Sequence, residues 1–120
     1  MEKELGNKYS VDEAVILKEN ESCKGGTYSN AFNSRKVTDS VGLVIKKGII
    51  CCKSFHSRRC LMTYQLTYPE AELLVCPADV EGRGRADWHT NEYGKGAVMT
   101  ELKKCGEYFR QAMDVYINKE

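Results

Sequence analysis

The stretch "GIICCKSFHSRRCLMTYQLTYPEAELLVCP", residues 48 to 77, decides the fold. It opens with the short apolar run "GIICCK" (48–53), which is typical of a strand buried on both faces. A helix is predicted over 54–68, where Pro69 stops it. The run "ELLVCP" (72–77) predicts the next strand. Because a helix separates the two strands, they are predicted to pair in parallel.

Further elements are predicted on both sides of this unit. The segment "EAVILK" (13–18) predicts a strand, and a helix opened by Thr27 is predicted over 27–42. A long helix is predicted over 91–118. Its apolar residues recur every three or four positions and predict one buried stripe, formed by Val98, Leu102, Cys105, Phe109, Ala112 and Tyr116.

The order of these elements predicts an α/β fold. We expect a Rossmann-like three-layer α/β/α arrangement with a small parallel sheet, in the order β-α-β-α-β-α, over a single domain of residues 1–120. A sheet of three strands is small for this architecture and leaves an edge exposed. We therefore expect the chain to form a homo-oligomer, with the small domain completed by dimerisation.

Composition excludes several classes of partner. Eighteen basic and 17 acidic residues leave a formal net charge of +1, without the basic excess typical of nucleic-acid or anionic-membrane binding. The longest apolar runs are far shorter than the ~20 residues that span a bilayer, and "MEKELGNKYS" lacks the apolar core of a signal peptide. We expect a cytoplasmic protein. Its six cysteines lie mostly within apolar segments, which favours free thiols over a disulfide framework.

Cations cluster where the helix over 54–68 begins. The stretch 53–59 contains Lys53, His56, Arg58 and Arg59, although a helix N-terminus carries partial positive charge and disfavours cations. A bound anion explains the cluster, because Arg59 can form two parallel hydrogen bonds to an oxyanion and Lys53 adds a point charge. In the alternative interpretation Arg59 pairs with a carboxylate such as Asp79, and Arg58 points to solvent.

Three segments are predicted to meet at one edge of the sheet. In parallel α/β sheets, ligands bind beyond the carboxyl ends of the strands. Residues 22–30, 53–59 and 78–88 each follow a predicted strand and carry glycines, hydroxyls or cations. Trp88 lies in the last segment, which either covers the site or forms a solvated loop anchored by this side chain.

The same residues raise the question of metal-dependent or covalent catalysis. Cys51 and Cys52 are adjacent in a strand and point to opposite faces, so they do not converge on one ion, and no metal site is predicted. Cys52 close to His56 could form a reactive thiolate, but a buried structural cysteine is the favoured interpretation. His56 itself suits general acid catalysis toward a phosphorylated leaving group.

Two motifs resemble those of the YdcF-like family, whose relatives include SanA and ElyC. The stretch "CCKSFHSRRC" resembles the family's His-x-x-Arg pattern at His56 and Arg59, and "GGTYSNA" resembles its Thr-x-x-Asn motif at Thr27 and Asn30. The segment "DWHTNEYG…ELKKCGEYF" is similar to its closing segment. Ser29 stands where the family usually has Glu, and the family's Gly-rich first half has no counterpart. The resemblance implies the carboxy-terminal half of a Rossmann-like domain whose biochemistry is largely unknown.

Together these observations predict that the chain binds a small anionic ligand, containing phosphate or a nucleotide, at the carboxyl edge of the sheet. The predicted ligand-binding residues are Gly26, Thr27, Asn30, Lys53, Ser54, His56, Arg59 and Arg83. No cofactor is named beyond such a nucleotide-like ligand. Two alternatives stay open. One is a hydrolase or transferase that acts on a phosphorylated substrate through His56, and the other is a non-catalytic interaction protein.

Overall fold

The computed structural model describes Leu17, residues 26–110 and Met113. The regular elements are helix α1 (Gly26–Ser40), strand β1 (Lys47–Lys53), helix α2 (Ser57–Thr67), strand β2 (Glu72–Ala78) and helix α3 (Glu92–Tyr108). Two 3₁₀ turns complete them, Ser54–His56 before α2 and Trp88–Thr90 before α3. The chain forms two compact units, Met1–Ile45 and Lys46–Glu120. None of the helices in the described part is long and apolar enough to cross a membrane.

The second unit contains a parallel sheet of two strands. β1 and β2 pair in register from Lys47 opposite Glu72 to Lys53 opposite Ala78, and α2 lies between them along the chain. The predicted α/β fold with a small parallel sheet is confirmed. The predicted first strand, 13–18, lies outside the described residues apart from Leu17. The third layer and the Rossmann-like topology stay predictions.

In the described part of the second unit, a helix covers one face of the sheet. Side chains alternate between the two faces of a strand, and α2 packs against both strands. On the opposite face Ile49 is 69% exposed and Leu74 is 61% exposed. The prediction that β1 is buried on both faces is therefore wrong, because an apolar run does not by itself tell how many faces are covered.

Helix α2 begins later than predicted. Residues 54–56 form a 3₁₀ turn, and the N-cap of α2 is His56, whose side chain makes no capping hydrogen bond. Ser54 lies in this turn and does not cap the helix. Its carbonyl instead accepts a hydrogen bond from the Ser57 hydroxyl at 2.7 Å. The helix ends at Tyr68, and the following Pro69 disfavours helical backbone at the residue before it.

Helix α3 starts at a well-defined cap. The Asn91 side chain accepts a hydrogen bond from the Gly94 backbone N–H at 2.7 Å, which satisfies one of the unpaired donors of the first turn. The predicted buried stripe is only partly correct, because Phe109 is buried but Leu102 is 61% exposed. Ala112 and Tyr116 lie outside the described residues.

Helix α1 belongs to the first unit. It begins at Gly26, so Thr27 lies in its first turn and is not the residue that caps it. At the other end Gly42 has a φ of +71°, and the backbone N–H of Leu43 donates to the Thr38 carbonyl. This left-handed glycine closes the helix, as the sequence predicts.

Candidate functional site

A cavity of about 570 Å³ lies at the carboxyl ends of β1 and β2, within the second unit. Its wall is formed by the turn after β1, the end of β2, the loop 79–88 and one side of α3. Two of the three segments predicted to meet at this edge, 53–59 and 78–88, thus do so. The third segment, 22–30, is described only from residue 26 and belongs to the first unit.

One carboxylate from α3 contacts two side chains of the cluster at 53–59, Arg59 and His56. The Arg59 guanidinium donates from Nε to Glu101 Oε2 at 2.7 Å and from Nη2 to Oε1 at 3.0 Å, a bidentate contact. His56 Nδ1 lies 2.9 Å from the same Oε2. The alternative prediction that Arg59 pairs with a carboxylate is therefore correct. The partner is Glu101 and not the predicted Asp79.

Burial and pairing together determine the charge state of this cluster. Burial alone would raise the pKa of Glu101, but hydrogen bonds from Arg59 and His56 outweigh it and leave the pKa below its ordinary value. The hydrogen bond to Glu101 raises the pKa of Arg59. Glu101 is therefore ionised near neutral pH. Because an ionised carboxylate only accepts hydrogen bonds, the proton of the His56 contact lies on Nδ1.

Three more arginines line the cavity. Arg58 and Arg85 are exposed, and Arg83 is half-buried. The Arg83 guanidinium carbon lies 3.3 Å from the centre of the Tyr93 ring and 5.3 Å from that of Phe55, so aromatic rings hold this cation.

Two buried polar atoms in the cavity wall lack a hydrogen-bond partner. They are the Ser54 hydroxyl oxygen and Arg83 Nε, neither of which is paired within the described part of the chain. Buried polar groups in folded proteins are nearly always hydrogen-bonded, so each exception calls for an explanation.

The loop that carries Arg83 is held in place by side chains. The Asp87 carboxylate accepts hydrogen bonds from the backbone N–H groups of Gly82 at 2.9 Å and Gly84 at 2.7 Å. Asn91 Nδ2 donates to the Gly82 carbonyl at 2.9 Å, which ties the loop to the start of α3. Gly94 lies so close to the Trp88 backbone that no side chain fits there. The loop is therefore a fixed wall of the cavity.

The predicted site residues fall into three groups. Ser54, Arg59 and Arg83 line the cavity. Lys53 and His56 are not among its lining residues in the described part of the chain. The others lie on α1 in the first unit, and they are Gly26, Thr27 and Asn30. Their proposed contact with a ligand stays a prediction.

Glu101 is the residue that the sequence interpretation missed. It is not one of the apolar residues by which the stripe of the long helix was predicted, and 42 residues separate it from Arg59. Its position offers a signal, because Glu101 follows Val98 by three residues and precedes Cys105 by four. Residues at these spacings share a helix face. An acidic residue on an apolar face predicts a buried cationic partner.

The cysteines of the second unit are free thiols, of which Cys51 and Cys76 are exposed and Cys60 is buried. Burial raises the pKa of Cys52, and this effect is larger than the lowering caused by its hydrogen bond with Cys60. Burial likewise raises the pKa of Cys60 to about 12. The alternative in which Cys52 is an activated nucleophile is therefore wrong, since that role needs a lowered pKa. Within the described residues, no cluster of His, Cys, Asp and Glu is placed to hold a metal ion.

Comparison with known proteins finds no matching family model, no matching curated protein and no matching solved structure. The resemblance to the YdcF-like family therefore stays a prediction. The candidate function rests on the cavity itself.

Proposed function

We propose that the cavity at the carboxyl ends of β1 and β2 binds a small anionic ligand that contains phosphate or a nucleotide. The observation that carries the proposal is the pair of buried atoms without partners, the Ser54 hydroxyl and Arg83 Nε. Arg83 Nε can only donate a hydrogen bond, and the hydroxyl can also donate. A ligand rich in acceptor oxygens, such as a phosphate or a carboxylate, satisfies both.

The charge of the wall supports an anion. Four arginines and two carboxylates line the cavity. Arg59 and Glu101 neutralise each other, which leaves one carboxylate, Asp79, and three cations, Arg58, Arg83 and Arg85, in the lining. Guanidinium groups bind phosphate and carboxylate oxygens in bidentate fashion, and the first turns after β1 add a favourable helix dipole.

Catalysis through His56 has less support than binding. The Glu101 carboxylate fixes the imidazole in one tautomer, as it would in a catalytic pair. However, His56 is not among the described residues that line the cavity, so a ligand there does not meet its ring. His56 accordingly lies behind the cavity wall, where its contact with Glu101 helps to hold that carboxylate in place. We also propose the cytoplasmic location, the self-association and the YdcF-like relationship that the sequence predicts.

Titration with inorganic phosphate tests the proposal. Trp88 lines the cavity and is the one tryptophan of the chain, so its fluorescence reports binding directly. We expect a saturable change that weakens as salt is raised, because the contact is ionic. The double variant Arg58→Gln/Arg85→Gln is expected to bind phosphate about tenfold more weakly for each charge-assisted hydrogen bond that it removes.

The matched control is the double variant Lys46→Gln/Arg110→Gln, which also removes two exposed cations, neither of them among the described residues lining the cavity. It is expected to bind phosphate like the unaltered protein. Equal weakening in the control and in Arg58→Gln/Arg85→Gln would mean that phosphate responds to net charge alone. No saturable change in the unaltered protein would also contradict the proposal.

A further inference from the structure

One part of the cavity wall is apolar. Trp88 and Phe55 contribute rings, and α3 contributes Val98 and Leu102, which are one helical turn apart. Leu102 lies beside the cavity and is 61% exposed. The cavity volume of about 570 Å³ is in the range typical of sites for organic ligands. An inorganic anion is too small to cover these apolar residues.

The backbone that carries Trp88 is held in place, and the Phe55 ring lies next to a cation. The Trp88 backbone N–H donates to the Gly84 carbonyl at 3.0 Å, and Gly94 packs directly against the Trp88 backbone. Phe55 lies beside the Arg83 guanidinium, with 5.3 Å between the guanidinium carbon and the ring centre. A basic group and an aromatic surface therefore lie within the length of one small molecule.

We propose that the ligand is an aromatic anion, in which a flat ring is joined to a phosphate or carboxylate group. This inference rests on the proposed function, because the anionic group of the ligand is the part that the arginines bind. The ring lies against Trp88 and the α3 residues Val98 and Leu102, where it buries apolar surface. A flat ring also stacks on the indole and on guanidinium planes, which an alkyl chain does not do.

Three probes separate the anion from the ring. Isothermal titration calorimetry is carried out with inorganic phosphate, phenyl phosphate and n-butyl phosphate. Phenyl phosphate is expected to bind about tenfold tighter than inorganic phosphate, because binding buries the apolar surface of its ring. It is expected to bind severalfold tighter than butyl phosphate, because stacking adds to the area term. Phenyl phosphate is also expected to change the fluorescence of Trp88 most.

Two variants locate the ring on this wall. Leu102→Ala shortens an exposed side chain beside the cavity. It is expected to weaken the binding of phenyl phosphate about fivefold and to leave the affinity for inorganic phosphate unchanged. Its control is Met99→Ala, which alters a 53% exposed apolar residue of the same helix that is not among the described lining residues. Trp88→Leu is expected to abolish the preference for phenyl over butyl phosphate.

The possible results fall into distinct classes. If phenyl phosphate and inorganic phosphate bind equally and Arg58→Gln weakens both, the aromatic inference is overturned while anion binding stands. If butyl phosphate binds as tightly as phenyl phosphate, the ligand is an amphipathic anion and its aromatic character is refuted. If none of the three binds, the proposed function itself fails. The comparison of the three probes uses the unaltered chain and does not depend on the folding of any variant.

Discussion

Replacing Glu101 by glutamine keeps the shape of the side chain but removes its negative charge. Glu101 and Arg59 are each only 12% exposed, and His56 is 19% exposed. The variant leaves the Arg59 guanidinium mostly buried without the carboxylate that neutralises it. It also replaces one acceptor oxygen by an NH₂ group, so that a hydrogen-bond donor faces the N–H donors of Arg59 or His56.

The expected loss of stability follows from the geometry. Glu101 accepts two bonds from Arg59, at 2.7 and 3.0 Å, and one from His56 at 2.9 Å. Removing one partner of a buried ion pair costs about 3–5 kcal/mol. Because the residual exposure admits some water, we expect a loss of about 3 kcal/mol. With a urea m-value of about 2 kcal/mol/M, the unfolding midpoint falls by roughly 1.5 M.

Urea unfolding followed by circular dichroism measures this loss, with Glu107→Gln as the control. Glu107 lies on the same helix and is 60% exposed, with its carboxylate 4.0 Å from Lys103. Its replacement is expected to change the free energy of unfolding by less than about 0.5 kcal/mol. Equal effects of the two variants would refute the assignment of a buried ion pair to Glu101.

The same pair predicts how stability depends on pH. The pKa of Glu101 is lowered in the folded chain, so its contribution is fully present above the ordinary carboxyl pKa of about 4.3 and is lost as pH falls through the folded value. The difference in stability between the unaltered protein and Glu101→Gln should therefore shrink as the medium is made acidic. A difference that grows with acidity would have the wrong sign for this linkage.

Two further predictions concern packing and thiol exposure. Gly94→Ala should lower the free energy of unfolding by about 1–3 kcal/mol or more, because a Cβ atom collides with the Trp88 backbone; Gly96→Ala, with open space around it, should instead stabilise the helix by up to about 1 kcal/mol. Both are measured by urea unfolding, and a neutral Gly94→Ala would contradict the close packing of the loop on α3. In brief alkylation of the native protein with iodoacetamide, the exposed Cys51 should react well before Cys60, whose pKa is about 12. Peptide mass spectrometry reads the order, and equal rates would refute the burial of Cys60.

Much of the fold of the second unit is predictable from local pattern. The apolar runs and Pro69 predict β1, α2 and β2 to within a few residues, and the intervening helix predicts parallel pairing. Coverage of the sheet is not a local property. Ile49 and Leu74 look like core residues in the sequence, yet they are exposed because no described element of the second unit packs on their face.

The candidate site divides in the same way. The two segments that form most of its wall could be predicted, because the carboxyl ends of parallel strands share one edge. The pairing of Arg59 with Glu101 could not, since it depends on how α3 packs against α2 and the turn before it. Leu102 shows the same limit, because its helical spacing predicts burial while the cavity beside it leaves it exposed.

The central claim is that an anion binds between the turn after β1 and the loop 79–88. The most direct test is to record backbone amide NMR shifts of the ¹⁵N-labelled protein during titration with phenyl phosphate. We predict saturable shifts concentrated at Ser54, Ser57, Gly84 and Trp88, with Ile49 and Leu74 unaffected. Shifts that never saturate, or that fall mainly on the exposed sheet face, would contradict the account.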